Sequence, residues 1–234
     1  MFLNIFKKKE MNKVEKSAQQ SSETKNNGTK QQQERIATRK GEFGEYKIDI
    51  QLSQLPKEYR HLSDLLIKNP KSATGFSQID HVIITPYGIF VIETKNYQGT
   101  IYGGIDRKTW LINGKFKMMS PIIQNYGHIH AIKNYIDSTF HQYFISIVSF
   151  TKRCTFKIDQ ELRKIQSDEL VIYDIELTDF INRKIAVLKL QNKNPLLSII
   201  EIERIYNALS KANILYPDTR KQHVDNIQKK SNEH

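Results

Sequence analysis

Two apolar runs separated by Pro86-Tyr87-Gly88 constrain this chain more than any other feature. Val82-Ile83-Ile84-Thr85 and Ile89-Phe90-Val91-Ile92 are short, continuous and bounded by turn residues, so they read as the two strands of a hairpin. Pro86 and Gly88 supply the turn chemistry. The open ends of these strands carry charge: Asp80 on the first, Glu93 and Lys95 on the second. If Thr85 pairs with Gly88 across a two-residue loop, Asp80 falls opposite Glu93, on the same face and about 5 Å away between Cβ atoms. Lys95, two residues beyond Glu93, shares that face. A type I turn with Gly88 as a bulge would shift the pairing by one and set Asp80 opposite Thr94. Asp80 would then need a local bend to join the other two.

Charges at the ends of apolar strands must be paired or bind a metal, because unpartnered burial is costly. Mg²⁺ and similar hard cations take carboxylate and water oxygens. A carboxylate-held cation beside a lysine suits phosphodiester cleavage, since the cation polarises a phosphoryl oxygen.

Further along, Ser120-Pro121 reads as a helix start, with Ser120 as N-cap and a helix running to about Phe140. Gln124 and His128 are four apart and share a face near that start. An amide there can hold a water or a phosphate oxygen. His128 and His130 do not share a face and make a poor metal pair. His81 points away from Asp80 and reads as a core histidine. Trp110 reads as a core aromatic, and Cys154, the single cysteine, as a half-buried small residue. One cysteine excludes an internal disulfide and a cysteine-cluster zinc site.

Three blocks in order carry a family resemblance. They are Lys40-Gly41-Glu42-Phe43-Gly44-Glu45, then Gln78-Ile79-Asp80-His81-Val82, then Gly88-Ile89-Phe90-Val91-Ile92-Glu93-Thr94-Lys95-Asn96-Tyr97-Gln98-Gly99. Asp-x(n)-Glu-x-Lys across a hairpin resembles the PD-(D/E)XK nuclease core. The longer string resembles the nuclease-related domain, NERD, over residues 40–130, with Pro121 and Gln124 similar to its Pro-x-x-Gln helix start. The resemblance implies a restriction-endonuclease-like α/β fold, a mixed sheet flanked by helices. It implies a metal-dependent nuclease in which Asp80, Glu93 and the Thr94 backbone carbonyl hold Mg²⁺ or Mn²⁺. Lys95 would orient or deprotonate the attacking water and stabilise charge on the phosphate. Gln124 would position water or substrate, and Glu45 would complete the acidic set, with Glu42 as its alternate. DNA is favoured over RNA as the partner. The competing reading is a non-catalytic nucleic-acid-binding or partner-binding module on the same fold.

Charge and composition set the organisation. The net charge is +11, but residues 1–40 hold ten Lys or Arg against four Asp or Glu, which is +6 of it. Residues 1–35 therefore read as a basic, polar, disordered leader that can add salt-sensitive phosphate affinity or serve solubility alone. Residues 36–216 read as the nuclease-like domain and 217–234 as a polar tail. Within the domain, a helix is expected from about Thr38 to Leu55. Strands are expected over 100–102, 109–112, 143–150 and 169–173, and helices over 176–185 and 196–212. No secretory h-region and no run of about 20 apolar residues is present, so a cytoplasmic location is expected.

Overall fold

The computed structural model of the 234-residue chain describes residues 44–232. The chain divides into two units between Phe43 and Gly44, and the described residues belong to the second. The expected leader, the start of the first helix and Glu42 lie outside the described residues.

The elements run in the order α1 (44–52), β1 (Arg60–Lys68), β2 (Phe76–Thr85), β3 (Gly88–Lys95), β4 (Gly99–Tyr102), β5 (Thr109–Ile112), β6 (Phe116–Met119), α2 (Pro121–Lys133), β7 (Phe144–Phe150), β8 (Cys154–Lys157), β9 (Glu169–Tyr173), α3 (Leu177–Gln191), α4 (Ile199–Ala212) and α5 (Pro217–Asn232). A five-stranded sheet has the order β1-β2-β3-β7-β9, and a four-stranded sheet has the order β6-β5-β4-β8. Both are mixed. β1, β2 and β3 are antiparallel, whereas β7 runs parallel to β3 and to β9. The result is a mixed α/β fold with helices on both faces, consistent with a PD-(D/E)XK nuclease core.

The period-2 geometry of strands sorts the apolar residues between two layers. Ile89 and Val91 face one way with Val82 and Ile84, and pack against Ile129 and Ile132 of α2 and Ile202, Ile205 and Leu209 of α4. Phe90 and Ile92 face the other way and pack against Ile48 and Leu52 of α1 and Leu177, Phe180 and Ile181 of α3. Both strands of the hairpin are covered on both faces, as continuous apolar runs require. Each such buried Ile, Val or Phe contributes roughly 1.5–3 kcal/mol. A third cluster, built on Trp110, Phe150 and Val171, joins the small sheet to the large one.

Several elements differ from the sequence expectations. α2 ends at Lys133 rather than near Phe140. Asp137 is extended, and its side chain accepts from Thr139 N–H to cap a separate short turn over Ser138–Phe140, so the chain restarts rather than continues. α3 runs six residues past Ile185 to Gln191. α4 starts at Ile199 because Ser198 and Glu201 form a capping box. Strands β1, β6 and β8 carry no strong alternation and were not expected. The residues read as a polar tail include α5, which Arg220 ties to the backbone oxygens of Ile214 and Asp64. Among the described residues, no helix is long and apolar enough to cross a membrane.

Candidate active site

The hairpin adopts the two-residue loop, with Thr85 paired to Gly88 and His81 to Ile92. Thr85 Oγ1 donates to Gly88 O at 3.0 Å and accepts from Tyr87 N–H at 3.1 Å, which locks the turn. Gly88 has φ 155°, and a Cβ there would lie 2.9 Å from Ile145 Cδ1, so the position admits only glycine. The bulged alternative, with Asp80 paired to Thr94, is not the register formed.

The ladder stops one residue short of Asp80. On the other side of β2, β1 pairs Ser63 with His81 and Leu65 with Ile79, skipping Asp64 and Asp80. Asp64 takes φ 51°. Ile79 and Val82, three apart, consequently face the same core layer. The strand thus turns over at Asp80. Freed from the ladder, the Asp80 carboxylate accepts at Oδ2 from Thr94 N–H at 2.7 Å and from Thr94 Oγ1 at 2.6 Å.

Glu93 is 3% exposed. Its Oε1 accepts from Lys95 Nζ at 2.5 Å and from Gln124 Nε2 at 2.7 Å. Gln124 Oε1 accepts in turn from Lys95 Nζ at 3.0 Å. Carboxylate, ammonium and amide therefore close a three-membered network. Glu93 Oε2 lies 3.2 Å from His128 Nδ1, yet both atoms are buried without an aligned hydrogen bond.

Helix α2 delivers Gln124 and His128 to this point. Ser120 caps it by accepting from Ile123 N–H, and Pro121 opens it. Asn125 then anchors it. It is fully buried, and its Nδ2 donates to Val91 O at 2.9 Å and Ser146 Oγ at 2.8 Å. That fixes the rotation of α2 against β3 and β7, and with it the direction of the neighbouring Gln124. On β3, Lys95 O accepts from Thr151 N–H at 3.0 Å, which holds the strand end.

The electrostatics are unbalanced at one residue. Burial, then the charge of Glu93, pushes the Asp80 carboxyl up to about 8, against the lowering effect of Thr94, and Glu45 adds to the rise. Burial also acts to raise Glu93, but Lys95 and His128 outweigh it and hold Glu93 below the usual carboxylate range. Lys95 is raised, because Glu93 overcomes its burial. One ammonium serves two carboxylates, so the cluster keeps an unmet demand for positive charge.

The sequence-predicted residues sit as follows. Asp80, Glu93, Lys95 and Gln124 gather at one place, and Glu45, half-buried on α1, lines the same cavity of about 670 Å³ as Asp80, Gln124 and His128. Thr94 is tied to Asp80. His81 lies on the other face against Ser63 and Asp49, held down to about 4 by burial. Trp110 is fully buried and stacks on Phe150. Cys154 is buried, and its thiol is pushed up to about 11. His128 and Asn125 carried no predicted role. The shared face of Gln124 and His128 was the signal for the first; no local signal marks the second.

Among the described residues, no group of three or more His, Cys, Asp or Glu is arranged to hold a metal ion. Asp80 and Glu93 fit the other kind of site, in which one or two carboxylates hold a hard cation that keeps several waters. The unmet charge at Asp80 and the unbonded Oε2 of Glu93 suit such an ion.

The nuclease-related domain family matches residues 40–151. An uncharacterized protein of Bacillus anthracis is 32% identical over 195 residues, covering 82% of this chain and 85% of that protein. The crystal structure of a protein of unknown function covers 72% of this chain and 96% of its own, at 9% identity and a TM-score of 0.30, a likeness that carries no argument. With the hairpin blocks, the Pro121–Gln124 helix start and a relative matched along most of its length, the chain belongs to the nuclease-related domain (NERD) family.

Proposed function

We propose that this protein is a metal-dependent nuclease that hydrolyses phosphodiester bonds of DNA in the cytoplasm. The observation that carries the reading is the network of Glu93, Lys95 and Gln124 beside Asp80, with Asp80 and Gln124 lining a cavity. Asp80 and Glu93 would hold Mg²⁺ or Mn²⁺, with the Thr94 backbone carbonyl as a further oxygen. Polarisation of a phosphoryl oxygen is the chemistry that such a cation supplies when bound.

The chain's own groups divide the remaining work. Lys95 Nζ donates to the attacking water or to the phosphate oxygen on which charge develops. Gln124 presents a donor and an acceptor from one planar amide, so it orients both Lys95 and a water. Glu45 adds negative charge at the cavity wall and raises the demand for a cation. The N-terminal end of α2 favours an anion nearby.

The second reading, a non-catalytic binding module, draws support from the Lys95–Glu93 contact, which already neutralises one carboxylate. One experiment separates the two. Purified protein is incubated with supercoiled plasmid, linear duplex, single-stranded DNA and RNA, with Mn²⁺ or with EDTA. The nuclease reading expects Mn²⁺-dependent cleavage that Glu93→Gln and Asp80→Asn abolish while both variants still melt cooperatively. Undiminished cutting by either variant would place the activity elsewhere. Binding without cleavage by the wild-type protein would leave the second reading.

A further inference from the structure

Residues 107–136 contain no Asp or Glu, and five basic residues: Arg107, Lys108, Lys115, Lys117 and Lys133. In a chain that is 26% charged, thirty consecutive residues without an acid form a distinct electrostatic strip. The strip folds into the β5–β6 hairpin and α2, next to the carboxylates of the candidate site.

The same strip exposes large apolar groups that a soluble surface ordinarily hides. Phe116 is 66% exposed, Met119 57%, Ile123 41% and Tyr126 57%. Met119, Ile123 and Tyr126 line the cavity that holds Asp80 and Gln124. The Tyr126 ring meets His130 edge to face, with centroids 4.4 Å apart, which leaves a ring face for another partner. Lys117 is two residues from Met119 on β6, so the two share a strand face. The wall is thus aromatic and apolar, with Lys71 among its lining residues and Lys117 on the strand face of Met119. A phosphate-only surface needs no such wall. A duplex keeps its base faces stacked inside and offers nothing to Tyr126. Unpaired bases need both features: ring faces to stack on and cations along the backbone. A volume of about 670 Å³ lies in the range that encloses small ligands.

We propose that the acid-free strip is a track for an unpaired nucleic-acid strand, with a base stacked on Tyr126 beside the carboxylate end of the cavity. This deepens the nuclease reading and rests on it for what happens to the strand, though not for the binding. The substrate class is then single-stranded DNA or an unpaired end, rather than intact duplex.

The test measures binding of a fluorescent oligothymidylate and of a blunt hairpin duplex by anisotropy, in EDTA, so that no cleavage is required. The expected result is tighter binding of the oligothymidylate. Tyr126→Ala should weaken it roughly tenfold, as loss of one stacked base does, and collapse the preference over duplex. Lys117→Gln should lower the slope of log affinity against log salt by about 0.7 for the single strand. Tyr126 is exposed, so its replacement leaves the fold intact. Unchanged single-strand affinity in Tyr126→Ala, or equal loss on both ligands, overturns the track. Mn²⁺-dependent cleavage of single-stranded DNA by the same preparation is scored separately. Cleavage with a failed Tyr126 test sinks the track and keeps the nuclease. A passed Tyr126 test without cleavage does the reverse.

Discussion

Lys95 and Lys184 sit in two regions of the same fold, with side chains 17% and 2% exposed, and they do different work. Lys184, on α3, donates to Gln166 O at 3.1 Å and Ser167 O at 2.9 Å, and pairs with Asp168 at 2.9 Å. Its partners are two backbone oxygens and one exposed carboxylate of the loop that leads into β9. Lys95 meets one carboxylate and one amide, both side chains, beside a second carboxylate with unmet charge. The deeper lysine closes a loop, and the shallower one joins a buried side-chain network beside Asp80 and Gln124, which line a cavity. Depth of burial therefore does not identify the chemically interesting group. What matters is whether its partners tie down a loop, as Gln166, Ser167 and Asp168 do, or are buried side chains next to a second carboxylate raised by burial and like charge.

The sharpest way to break this contrast is to remove each ammonium. Lys95→Met should lower Mn²⁺-dependent cleavage by at least about 100-fold, the cost of losing one donor aimed at developing charge. It also strands Glu93 in a buried site, so its melting temperature should fall at pH 8 and recover as the pH is lowered and Glu93 takes up a proton. Lys184→Met should leave the specific activity within about twofold, and destabilise by about 1–3 kcal/mol through its lost hydrogen bonds. Cleavage lost equally in both variants would show that the distinction is false.

The contrast sharpens at Asp80. Its carboxyl is raised to about 8 by burial and Glu93, whereas an unfolded aspartate titrates near 3.9. Between these values the folded state binds more protons, so without divalent ions this group makes stability fall as pH rises from about 4 to about 8. In EDTA at pH 8, Asp80→Asn should therefore melt higher than wild type, by on the order of 1–2 kcal/mol or roughly 2–8 °C. The difference should vanish near pH 4. Adding Mn²⁺ should raise the wild-type midpoint and not that of Asp80→Asn, because only a carboxylate there would complete the proposed cation site. Differential scanning fluorimetry at both pH values reads all of this. A lower midpoint for Asp80→Asn at pH 8 would mean that the Thr94 hydrogen bonds outweigh the charge repulsion.

The smallest effect is expected at His128. Its Nδ1 lies 3.2 Å from Glu93 Oε2, so His128→Asn should reduce cleavage several-fold, less than the loss in Lys95→Met. A loss as large as that of Lys95→Met would move His128 from a support of Glu93 to a direct partner of the substrate.

The hairpin was legible in the sequence because its determinants are local. Pro86 and Gly88 mark the turn and leave two registers, of which the two-residue loop forms, and strand period places Glu93 and Lys95 on one face. Asp80 was legible only in part. Its position opposite the β3 end follows from the register, but its release from the ladder depends on Asp64 of β1, sixteen residues upstream. Gln124 could be placed on a helix start from Ser120 and Pro121. Its contact with Glu93 could not, because that depends on Asn125 gripping β3 and β7. The small sheet was missed for a related reason. β6 and β8 are four residues each and take their meaning from strands distant in sequence.

By itself, the sequence determined the hairpin, its register down to two alternatives, and the family to which the chain belongs. Those follow from turn geometry, period-2 patterning and a string of residues in fixed order, all of which are short-range properties. The tertiary structure alone decided which polar groups meet. It bent β2 at Asp80, rotated α2 so that Gln124 and His128 face Glu93, and set an aromatic and basic strip beside the carboxylates. The physical reason is that hydrogen bonds and charge pairs act over a few ångströms of space. Glu93 and Gln124, brought within that range here, lie thirty-one residues apart along the chain.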